Sequence, residues 1–324
     1  AATIRRHRTT PSPTAPPKSP RSPMNPKYRP TPQDSPSSIS RTIWGVSDAW
    51  DSSPRSTRRS IRSCVSTPYT APSRRPRRPS TPLSPPKARA DPCVTINAGY
   101  WWAGNSLSLL ITDGVVKSIE NQTVERNGQT VYPLRAAFGQ MNDGSLQSRW
   151  IYCLPSLDDK PYAFPSALDN DERTHTYMSA PPTSNYPGAE PWTPREAVGG
   201  GPMLVYEGKN VAVENYWKEV FDGGGIAGTS RQPRTAIGAT ADGKIILLVC
   251  DGRNMRGSAG FTLSELADKL IALGAVKAVN LDGGGSSTMV GIEGTVLNRP
   301  SDTGSKENIV QRSISTAVVI SETN

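Results

Sequence analysis

The sequence predicts an α+β domain with a mixed, twisted β-sheet, one βαβ crossover helix and several hairpins, preceded by a disordered tail. Three observations support this fold class. The composition changes abruptly near Asp91, short β-branched runs separated by glycine-containing turns follow it, and one amphipathic pattern of helical period lies between two such runs. We therefore divide the 324 residues into a segment at 1–90 and a domain at 91–324.

Residues 1–90 differ from the rest of the chain in charge and in proline content. They carry 18 Lys and Arg, three Asp and no Glu, for a formal charge of +15, and they hold 18 of the 31 prolines. The remaining residues carry 19 basic and 25 acidic side chains, for a formal charge of −6. A segment with so few large apolar side chains buries too little surface to offset its ordering entropy, which predicts disorder.

Three interpretations of this basic Pro/Ser/Arg-rich segment stay open. It is a solvated linker, a polyanion-binding tail, or an out-of-frame translation, which would explain the absence of Glu and the excess of Arg, Pro, Ser and Thr. Nucleic-acid binding would depend on this segment alone, because the rest of the chain is acidic. No stretch approaches 18 apolar residues and no signal peptide is recognisable, so we expect no membrane span.

A helix is predicted at about 262–273. Thr262 and Glu265 have the spacing of a capping box, in which each side chain bonds the main chain of the other residue. Apolar residues recur at helical spacing through 263–271, and Gly274 is the residue expected just after the helix.

The strands on either side of this helix predict where functional residues meet. Residues 244–250 and 276–281 are short apolar runs, and a helix between two strands usually forms a right-handed crossover with the strands parallel. Both strands would then end at one sheet edge, where open parallel sheets usually place their ligands. Asp251 follows the first strand and Asp282 follows the second, so we expect the two carboxylates to converge.

Hairpin counting brings two further residues to that edge. A two-residue turn at 242–243 would place Arg234 opposite the first of these aspartates. A second hairpin, in which Val290 pairs with Thr295, would return Asn298 to the same edge. Asp113-Gly114 predicts one more two-residue turn.

Residues 141–198 are rich in Pro, Ser, Asn and Asp. Such a composition predicts long loops, which we expect to form the rim of a site.

The segment from Asp282 to Thr288 reads Asp-Gly-Gly-Gly-Ser-Ser-Thr and is the strongest local indication of a ligand site. Three consecutive glycines permit positive φ and close approach of the main chain to a ligand, and successive N–H groups can form an anion-binding nest. The hydroxyls of Ser286, Ser287 and Thr288 add donors. A flexible Gly/Ser loop is the alternative, and the flanking strands disfavour it. The segment lacks the Gly-Lys-Ser/Thr ending of a P-loop.

Charged side chains would complete this site. Paired carboxylates usually hydrolyse glycosidic bonds, and Arg253 would bind a phosphate through two parallel hydrogen bonds. When the leaving group is a phosphate, an arginine that binds its charge takes over much of the role of a general acid. A His-based metal site and a Ser-His-Asp triad are disfavoured, because His7 and His175 are the only histidines. A divalent cation, Ca²⁺ or Mg²⁺, held by Asp251 and Asp282 stays open.

Six spaced motifs lie between residues 92 and 321. They read Asn97-Ala-Gly-Tyr, Gly199-Gly-Gly-Pro-Met-Leu-Val, Arg234-Thr-Ala-Ile-Gly, Leu248-Val-Cys-Asp-Gly-Arg253, Val279-Asn-Leu-Asp-Gly-Gly-Gly-Ser-Ser-Thr288 and Asn298-Arg-Pro-Ser-Asp302. In this order they resemble the motifs of the phosphodiester glycosidase family. The chain departs from the family pattern at Ala98, where the first motif usually has Gly, and in residues 1–90, where early strands would be expected.

The resemblance implies a secreted or cell-envelope hydrolase that cleaves the glycosidic bond of a sugar-1-phosphodiester, such as an N-acetylglucosamine-1-phosphodiester. Its substrate would be a glycan or a sugar phosphate, released as free sugar and a phosphomonoester. The catalytic residues would be Asp251, Asp282 and Arg234. The substrate-binding residues would be Asn97, Gly99, Arg253, Gly283, Gly284, Gly285, Ser286, Ser287, Thr288 and Asn298.

A non-catalytic module that binds phosphorylated glycans or cell-wall polyanions is the alternative function. It would keep the Gly/Ser nest and the arginines but would not need both aspartates. Mutation of either aspartate should therefore spare its function.

Overall fold

The computed structural model describes residues 43–44, 58–65, 92–222, 225–291, 294–302 and 309–323. Within these ranges the chain is rich in β-strands, and two α-helices, Ala212–Lys218 and Leu263–Ala272, pack against one of the sheets. The α+β class agrees with the sequence prediction. No helix in the described ranges is both long and apolar enough to cross a membrane.

A six-stranded sheet, here called sheet A, carries the helices. Its strands are, in spatial order, Ile43–Trp44, Ile245–Cys250, Arg234–Thr240, Ala275–Asn280, Met203–Tyr206 and Lys209–Asn210. Helix Leu263–Ala272 connects the second of these strands to the fourth. These two strands run in the same direction, but they are not neighbours, because the third strand lies between them and pairs antiparallel with both.

A seven-stranded antiparallel sheet, here called sheet B, contains much of the stretch for which the sequence predicted loops. Its strands are, in spatial order, Glu190–Pro191, Lys160–Phe164, Leu146–Leu154, Arg135–Gln140, Glu196–Gly199, Leu110–Thr112 and Val115–Ser118. The loop prediction for 141–198 was therefore wrong at these strands, whereas the described residues 165–189 contain no strand or helix, as predicted. In the longest strand, Leu146–Leu154, polar residues interrupt the apolar ones. The Pro and Ser residues around it favoured a loop, so the strand pattern was not recognised.

Sheet C has four strands, and two short hairpins accompany the three sheets. Sheet C consists of Arg58–Val65, Thr316–Thr323, Pro92–Asn97 and Met289–Val290. The hairpins pair Trp101–Trp102 with Asn105–Ser106, and Val124–Arg126 with Gln129–Val131. Main-chain pairing of eight residues joins Arg58–Val65 to Thr316–Thr323.

Disorder was predicted for the whole of residues 1–90, and the two strands at 43–44 and 58–65 correct that prediction at those positions. The physical reason is that an edge strand offers its main-chain donors and acceptors to almost any extended partner. The other residues of the predicted tail lie outside the described ranges, as do the linker, polyanion-binding and reading-frame interpretations that rest on them.

The predicted helix and one predicted turn are confirmed. Thr262 accepts a hydrogen bond from the N–H of Glu265, whose side chain accepts from the N–H of Thr262, which completes the capping box. Gly274 follows the helix with φ of 89°. Asp113 and Gly114 have φ of 49° and 74°, as a type I′ turn requires.

Two hairpins are shifted by one residue from the predicted register. Arg234 pairs with Cys250, because Thr240 rather than Ala241 bonds Lys244 and the loop holds three residues. Gly243, with φ of 84°, supplies the left-handed residue that a three-residue hairpin loop needs. In the second hairpin, Val290 pairs with Val296 instead of Thr295.

The main core lies where the inner faces of the three sheets meet. Its buried side chains include Ile96 and Val318 from sheet C, Phe138 and Trp150 from sheet B, and Val279 from sheet A. A second core lies between the helices and the other face of sheet A. Because sheet A is packed on both faces, its strand ends are held firmly, and the residues that follow them are well placed to build a rigid site.

Candidate active site

Two cavities share part of their walls. The larger has a volume of about 1000 Å³ and the smaller about 380 Å³, and both are lined by Tyr100, Ile226, Asp282 and Arg312. Binding clefts for small molecules usually measure about 300–1,000 Å³. Asp282 is the only carboxylate of the described residues that lines both cavities, so it lies at their junction.

The main chain holds Asp282 in place from both sides. It follows strand Ala275–Asn280 of sheet A, and its N–H donates to the carbonyl of Ala98 at 3.1 Å. Its own carbonyl accepts from Nδ2 of Asn97 at 2.6 Å. The last residues of sheet A and of strand Pro92–Asn97 thereby fix each other, and the Asp282 side chain is directed by rigid strands.

The Asp282 carboxylate accepts hydrogen bonds from the Ser286 hydroxyl, the Gly283 N–H and the Trp101 side chain, and Arg312 lies near it. These groups favour the ionised form. Burial opposes them and has the larger effect, so the pKa of Asp282 is raised above its usual value. A carboxyl with a raised pKa in a cleft is a candidate for proton transfer or nucleophilic attack.

The three glycines that follow Asp282 line the smaller cavity. Gly284 has φ of 60° and begins a short 3₁₀ turn that ends at Ser286. A Cβ on Gly285 would lie 2.5 Å from Oδ1 of Asp302 and 2.7 Å from Nη2 of Arg312, so a side chain there would displace this ion pair. The main chain of this turn therefore lies against Arg312 as well as a cavity, and its close approach to a ligand stays a prediction.

Two arginines flank this glycine turn. Arg253 lines the smaller cavity, its Nη1 donates to the carbonyl of Ser301 at 2.6 Å, and its Nη2 would be 3.2 Å from a Cβ on Gly284. Arg312 lines both cavities and bonds Oδ1 of Asp302 through Nε at 2.5 Å. Arg253 was predicted, whereas Arg312 was missed because no motif surrounds it.

Arg234 lines the smaller cavity, but its guanidinium donates its hydrogen bonds to the protein main chain. It is buried and donates four hydrogen bonds of 2.8–3.0 Å to main-chain carbonyls, those of Ile226, Ala227, Ser230 and Phe261. An arginine has five N–H donors, so little capacity is left for a phosphate. Arg234 holds the 226–230 segment against the cavity, which corrects its predicted role as a catalytic residue.

Asp251 does not line either cavity. Its side chain is fully buried, and Oδ1 accepts from Nδ2 of Asn298 at 3.1 Å and from the N–H of Arg299 at 2.7 Å. Oδ2 lies 3.6 Å from Nη1 of Arg299. Asn298 in turn donates to the carbonyl of Ser287 and accepts from the N–H of Met289. The predicted catalytic and sugar-binding roles of Asp251 and Asn298 are therefore replaced by a scaffold role beneath the Gly/Ser loop.

The remaining predicted residues support the site from behind. The Asn97 side chain accepts from the Thr235 hydroxyl at 2.8 Å and from the Thr288 N–H at 3.1 Å, so its atoms are not directed to a ligand. A Cβ on Gly99 would lie 2.4 Å from the carbonyl of Gly199, which explains that glycine as a packing requirement. Ser287 and Thr288 are absent from the walls of both cavities, and of the three predicted hydroxyls only that of Ser286 reaches Asp282.

The described residues contain no group of three or more His, Cys, Asp or Glu side chains placed to share a metal ion. Asp251 and Asp282 face different surroundings, so the sequence hypothesis of a cation held between them has no geometric support. The donor set at the cavity junction is instead rich in N–H groups, which suit an anion.

Comparison with protein families settles the ancestry of this site. The model of the phosphodiester glycosidase family matches residues 159–321, slightly more than half of the chain, and the match contains Arg253, Asp282, the glycine turn and Arg312. The chain belongs to the phosphodiester glycosidase family. The first motif, at Asn97, lies before the matched range.

Relatives in the family match the chain over shorter stretches. The human N-acetylglucosamine-1-phosphodiester alpha-N-acetylglucosaminidase is 40% identical over 91 residues, which are 28% of this chain and 17% of the relative. The SPbeta prophage-derived uncharacterized protein YomE of Bacillus subtilis (strain 168) is 39% identical over 72 residues, 22% of this chain and 11% of the relative. The alignments thus span less than a fifth of these relatives.

The chain is also similar to solved structures. The catalytic domain of zebrafish N-acetylglucosamine-1-phosphodiester alpha-N-acetylglucosaminidase, auto-inhibited by its pro-peptide, has a TM-score of 0.47 and 23% sequence identity. The superposition covers 72% of this chain and 64% of that one.

Buried polar groups brace the wall of this cleft. The Tyr100 hydroxyl donates to the carbonyl of Gly201 at 2.6 Å and accepts from Nδ2 of Asn280 at 2.8 Å. Oε1 of Glu219 accepts from the Met203 N–H at 2.7 Å, just after this Gly201 turn. The turn is thus held by polar contacts on both sides, and the sequence gave no indication of this role for Glu219.

Glu219 gives the fold a pH dependence. Burial raises its pKa from 4.5 to about 7, against the effect of its hydrogen-bond donors. The folded state therefore holds the proton more tightly than the unfolded state, and the stabilisation present below pH 4.5 is lost as the pH rises towards 7. We expect a loss of about 3 kcal/mol in unfolding free energy across this range, corresponding to about 2.5 pKa units.

Urea unfolding of the full chain at several pH values between 4 and 8 measures this effect, with Glu219→Gln as the matched variant. In the variant, the unfolding free energy should not show the decrease with pH that Glu219 causes. If the unfolding free energy depends on pH in the same way in both proteins, Glu219 does not cause the decrease in this pH range.

Proposed function

We propose that this chain hydrolyses the glycosidic bond of a sugar-1-phosphodiester and releases a free sugar and a phosphomonoester. The observation that carries the proposal is the position of Asp282 between two unlike cavities. The smaller cavity is lined by the glycine turn and three arginines. The larger one contains Trp101, Trp102 and most of the apolar side chains, together with three arginines on its wall. Such a division matches a substrate with a phosphate on one side of the scissile bond and a sugar on the other.

The phosphate would bind in the smaller cavity. The Gly284 N–H donates to the carbonyl of Pro233 at 2.9 Å, so the Gly285 N–H is the donor of this turn that stays available to a phosphate. The guanidinium groups of Arg253 and Arg312 would supply charge-assisted donors beside it. Arg312 is already oriented by Asp302, and Arg253 by the carbonyl of Ser301. Negative charge that develops on the leaving phosphomonoester would be stabilised by donors already in place, which is the most effective form of electrostatic catalysis.

Asp282 would act at C1 of the sugar, at the cavity junction. It either attacks C1 directly or takes a proton from an attacking water, and both courses break the bond between C1 and the phosphate oxygen. That oxygen stays with the phosphomonoester, and the oxygen of water ends on the sugar. Because a phosphate is a good leaving group when its charge is bound, a second carboxylic acid at the junction is not required.

The larger cavity would hold the sugar. Trp101 and Trp102 line it from the hairpin at 101–106, and Trp101 also donates to Asp282. Aromatic rings present apolar faces on which sugar rings can pack. Trp101 would therefore contact both the sugar and the carboxyl that acts on its C1. Together with the family resemblance, these features also favour the proposal that the protein acts on glycans in the secreted or cell-envelope compartment.

A release assay on the full chain tests the function. The substrates are GlcNAc-1-phosphodiesters with different alcohols, with UDP-GlcNAc and an aryl β-N-acetylglucosaminide as controls, each with and without EDTA. We expect free sugar from the simple phosphodiesters, and an unchanged rate with EDTA would indicate that no divalent cation takes part. Tight binding of the phosphodiesters without release would support the non-catalytic module instead.

Arg253→Ala is expected to raise KM for a phosphodiester substrate by about tenfold to a hundredfold. A hydrogen bond to a charged group contributes about 1.5–3 kcal/mol, and this arginine has no carboxylate partner among the described residues to replace the phosphate. Steady-state kinetics measure the change. Arg256→Ala is the control, since Arg256 is exposed and lines neither cavity, and it should leave KM within about twofold. An unaltered KM in Arg253→Ala would place the phosphate elsewhere.

A further inference from the structure

The larger cavity contains an arginine that the proposed reaction does not use. Arg135 begins strand Arg135–Gln140 of sheet B and lies on the cavity wall. The carbon at the centre of its guanidinium is 3.9 Å from the centre of the Phe221 ring, and Nη1 donates to the main-chain carbonyl of Glu219. The side chain is therefore fixed in one orientation, and within the described residues Nε and Nη2 have no hydrogen-bond partner.

Neither nearby carboxylate neutralises this guanidinium directly. The Glu219 carboxylate accepts from the N–H groups of Ala136 and Met203 and from Nε1 of Trp150. The Glu120 carboxylate, also on the cavity wall, accepts from the N–H and Sγ of Cys153 at 2.6 and 3.2 Å. In the described part of the chain, Arg135 forms no ion pair, and burial lowers its pKa to about 10.

The other arginines around the cleft divide into two kinds. Arg126 pairs with Glu172 at 2.7 Å and Arg312 pairs with Asp302 at 2.5 Å. Arg253 and Arg135 have no carboxylate partner among the described residues, and they lie in different cavities. Arg234 also lines the smaller cavity without a carboxylate partner among the described residues, but its donors are taken up by four main-chain carbonyls. A partly buried cation without a counter-ion is costly, so Arg253 in one cavity and Arg135 in the other point to a ligand with two anionic groups.

We propose that Arg135 is the centre of a second anion-binding subsite, and that the sugar carries an acidic substituent in addition to its anomeric phosphate. This inference rests on the proposed function, because it takes the phosphate to occupy the smaller cavity. The planar guanidinium can give two parallel hydrogen bonds to a carboxylate, sulfate or phosphate group on the sugar. The larger cavity exceeds the needs of one sugar ring and leaves room for such a group.

Calorimetric titration of the full chain with a matched ligand pair tests the inference. Glucose 1-phosphate and glucuronic acid 1-phosphate differ in one carboxylate, and neither requires turnover to be measured. We expect the acidic ligand to bind the wild-type chain at least about tenfold more tightly, since a charge-assisted hydrogen bond has that effect on affinity. Equal affinities of the two ligands would overturn the inference without any variant.

Two variants of Arg135 locate the effect. Arg135→Gln should abolish the preference while the affinity for glucose 1-phosphate stays within about twofold, and Arg135→Lys should keep part of the preference. N-acetylglucosamine 1-phosphate is the third ligand. If Arg135→Gln weakens it as much as it weakens the acidic sugar, Arg135 binds a neutral acyl oxygen and the acidic-substrate inference is wrong.

The same titrations separate this inference from the proposed function. Arg253→Ala should weaken both ligands of the pair by an equal factor, because both have the anomeric phosphate. If Arg253→Ala weakens both ligands equally but the wild-type chain does not bind the acidic ligand more tightly, the phosphate site is supported and the second subsite is ruled out. If neither ligand binds the folded wild-type chain, both proposals fail.

Discussion

Asp282→Asn is expected to lower kcat on a sugar-1-phosphodiester by about 10²–10⁴-fold while the chain stays folded. The amide keeps the shape of the carboxyl and can still accept a hydrogen bond from Ser286 or Trp101. It cannot attack C1 or take a proton, so only the chemical step should suffer. Initial rates at saturating substrate measure kcat, and thermal unfolding verifies the fold.

Asp251→Asn is the matched control for this prediction. Asp251 is buried beneath the Gly/Ser loop and lines neither cavity, and its substitution weakens the contact with Arg299. We expect lower stability and a nearly unchanged kcat for the folded fraction. An active Asp282→Asn enzyme together with a folded but inactive Asp251→Asn enzyme would reverse the assignment of the two aspartates.

Arg234→Met is expected to destabilise the fold by on the order of 3 kcal/mol or more. Four main-chain carbonyls lose the donors of a buried cation, and hydrogen bonds to charged groups have a large effect on stability. Urea unfolding measures the loss. Arg256→Met, at an exposed site, should change stability by no more than about 0.5 kcal/mol.

The opposite outcome for Arg234 would be informative. If Arg234→Met keeps full stability but loses affinity for sugar 1-phosphates, the guanidinium serves the ligand as the sequence first indicated. Loss of stability with substrate affinity preserved at low temperature would confirm that this arginine holds the 226–230 segment.

Local signals in the sequence predicted local structure well. The capping box at Thr262 and Glu265 and the turn at Asp113-Gly114 involve residues a few positions apart, and both are present as expected. The register of the 234–250 hairpin was one residue out. A two-residue and a three-residue loop can both use Gly243, and only the cross-strand pairing of the whole sheet decides between them.

The sequence brought the candidate residues to one sheet edge, and the structure shows which of them line a cavity. Polar residues near a cleft either face the ligand or hold the main chain, and both tasks use the same residue types. The sequence brought Asp282 and Asp251 to one edge, but it could not show that one faces a cavity and the other is enclosed. Arg312 and Arg135 were missed because long-range packing alone brings them to the cleft.

The central claim is that water attacks the sugar carbon and the C1–oxygen bond breaks. Hydrolysis of a GlcNAc-1-phosphodiester by the full chain in ¹⁸O-labelled water, followed by mass spectrometry of both products, tests this directly. We predict that the label appears in the released sugar and is absent from the phosphomonoester. Label in the phosphate would mean that the P–O bond is cleaved, which would contradict the assignment of Asp282 to C1 and of the arginines to the leaving group.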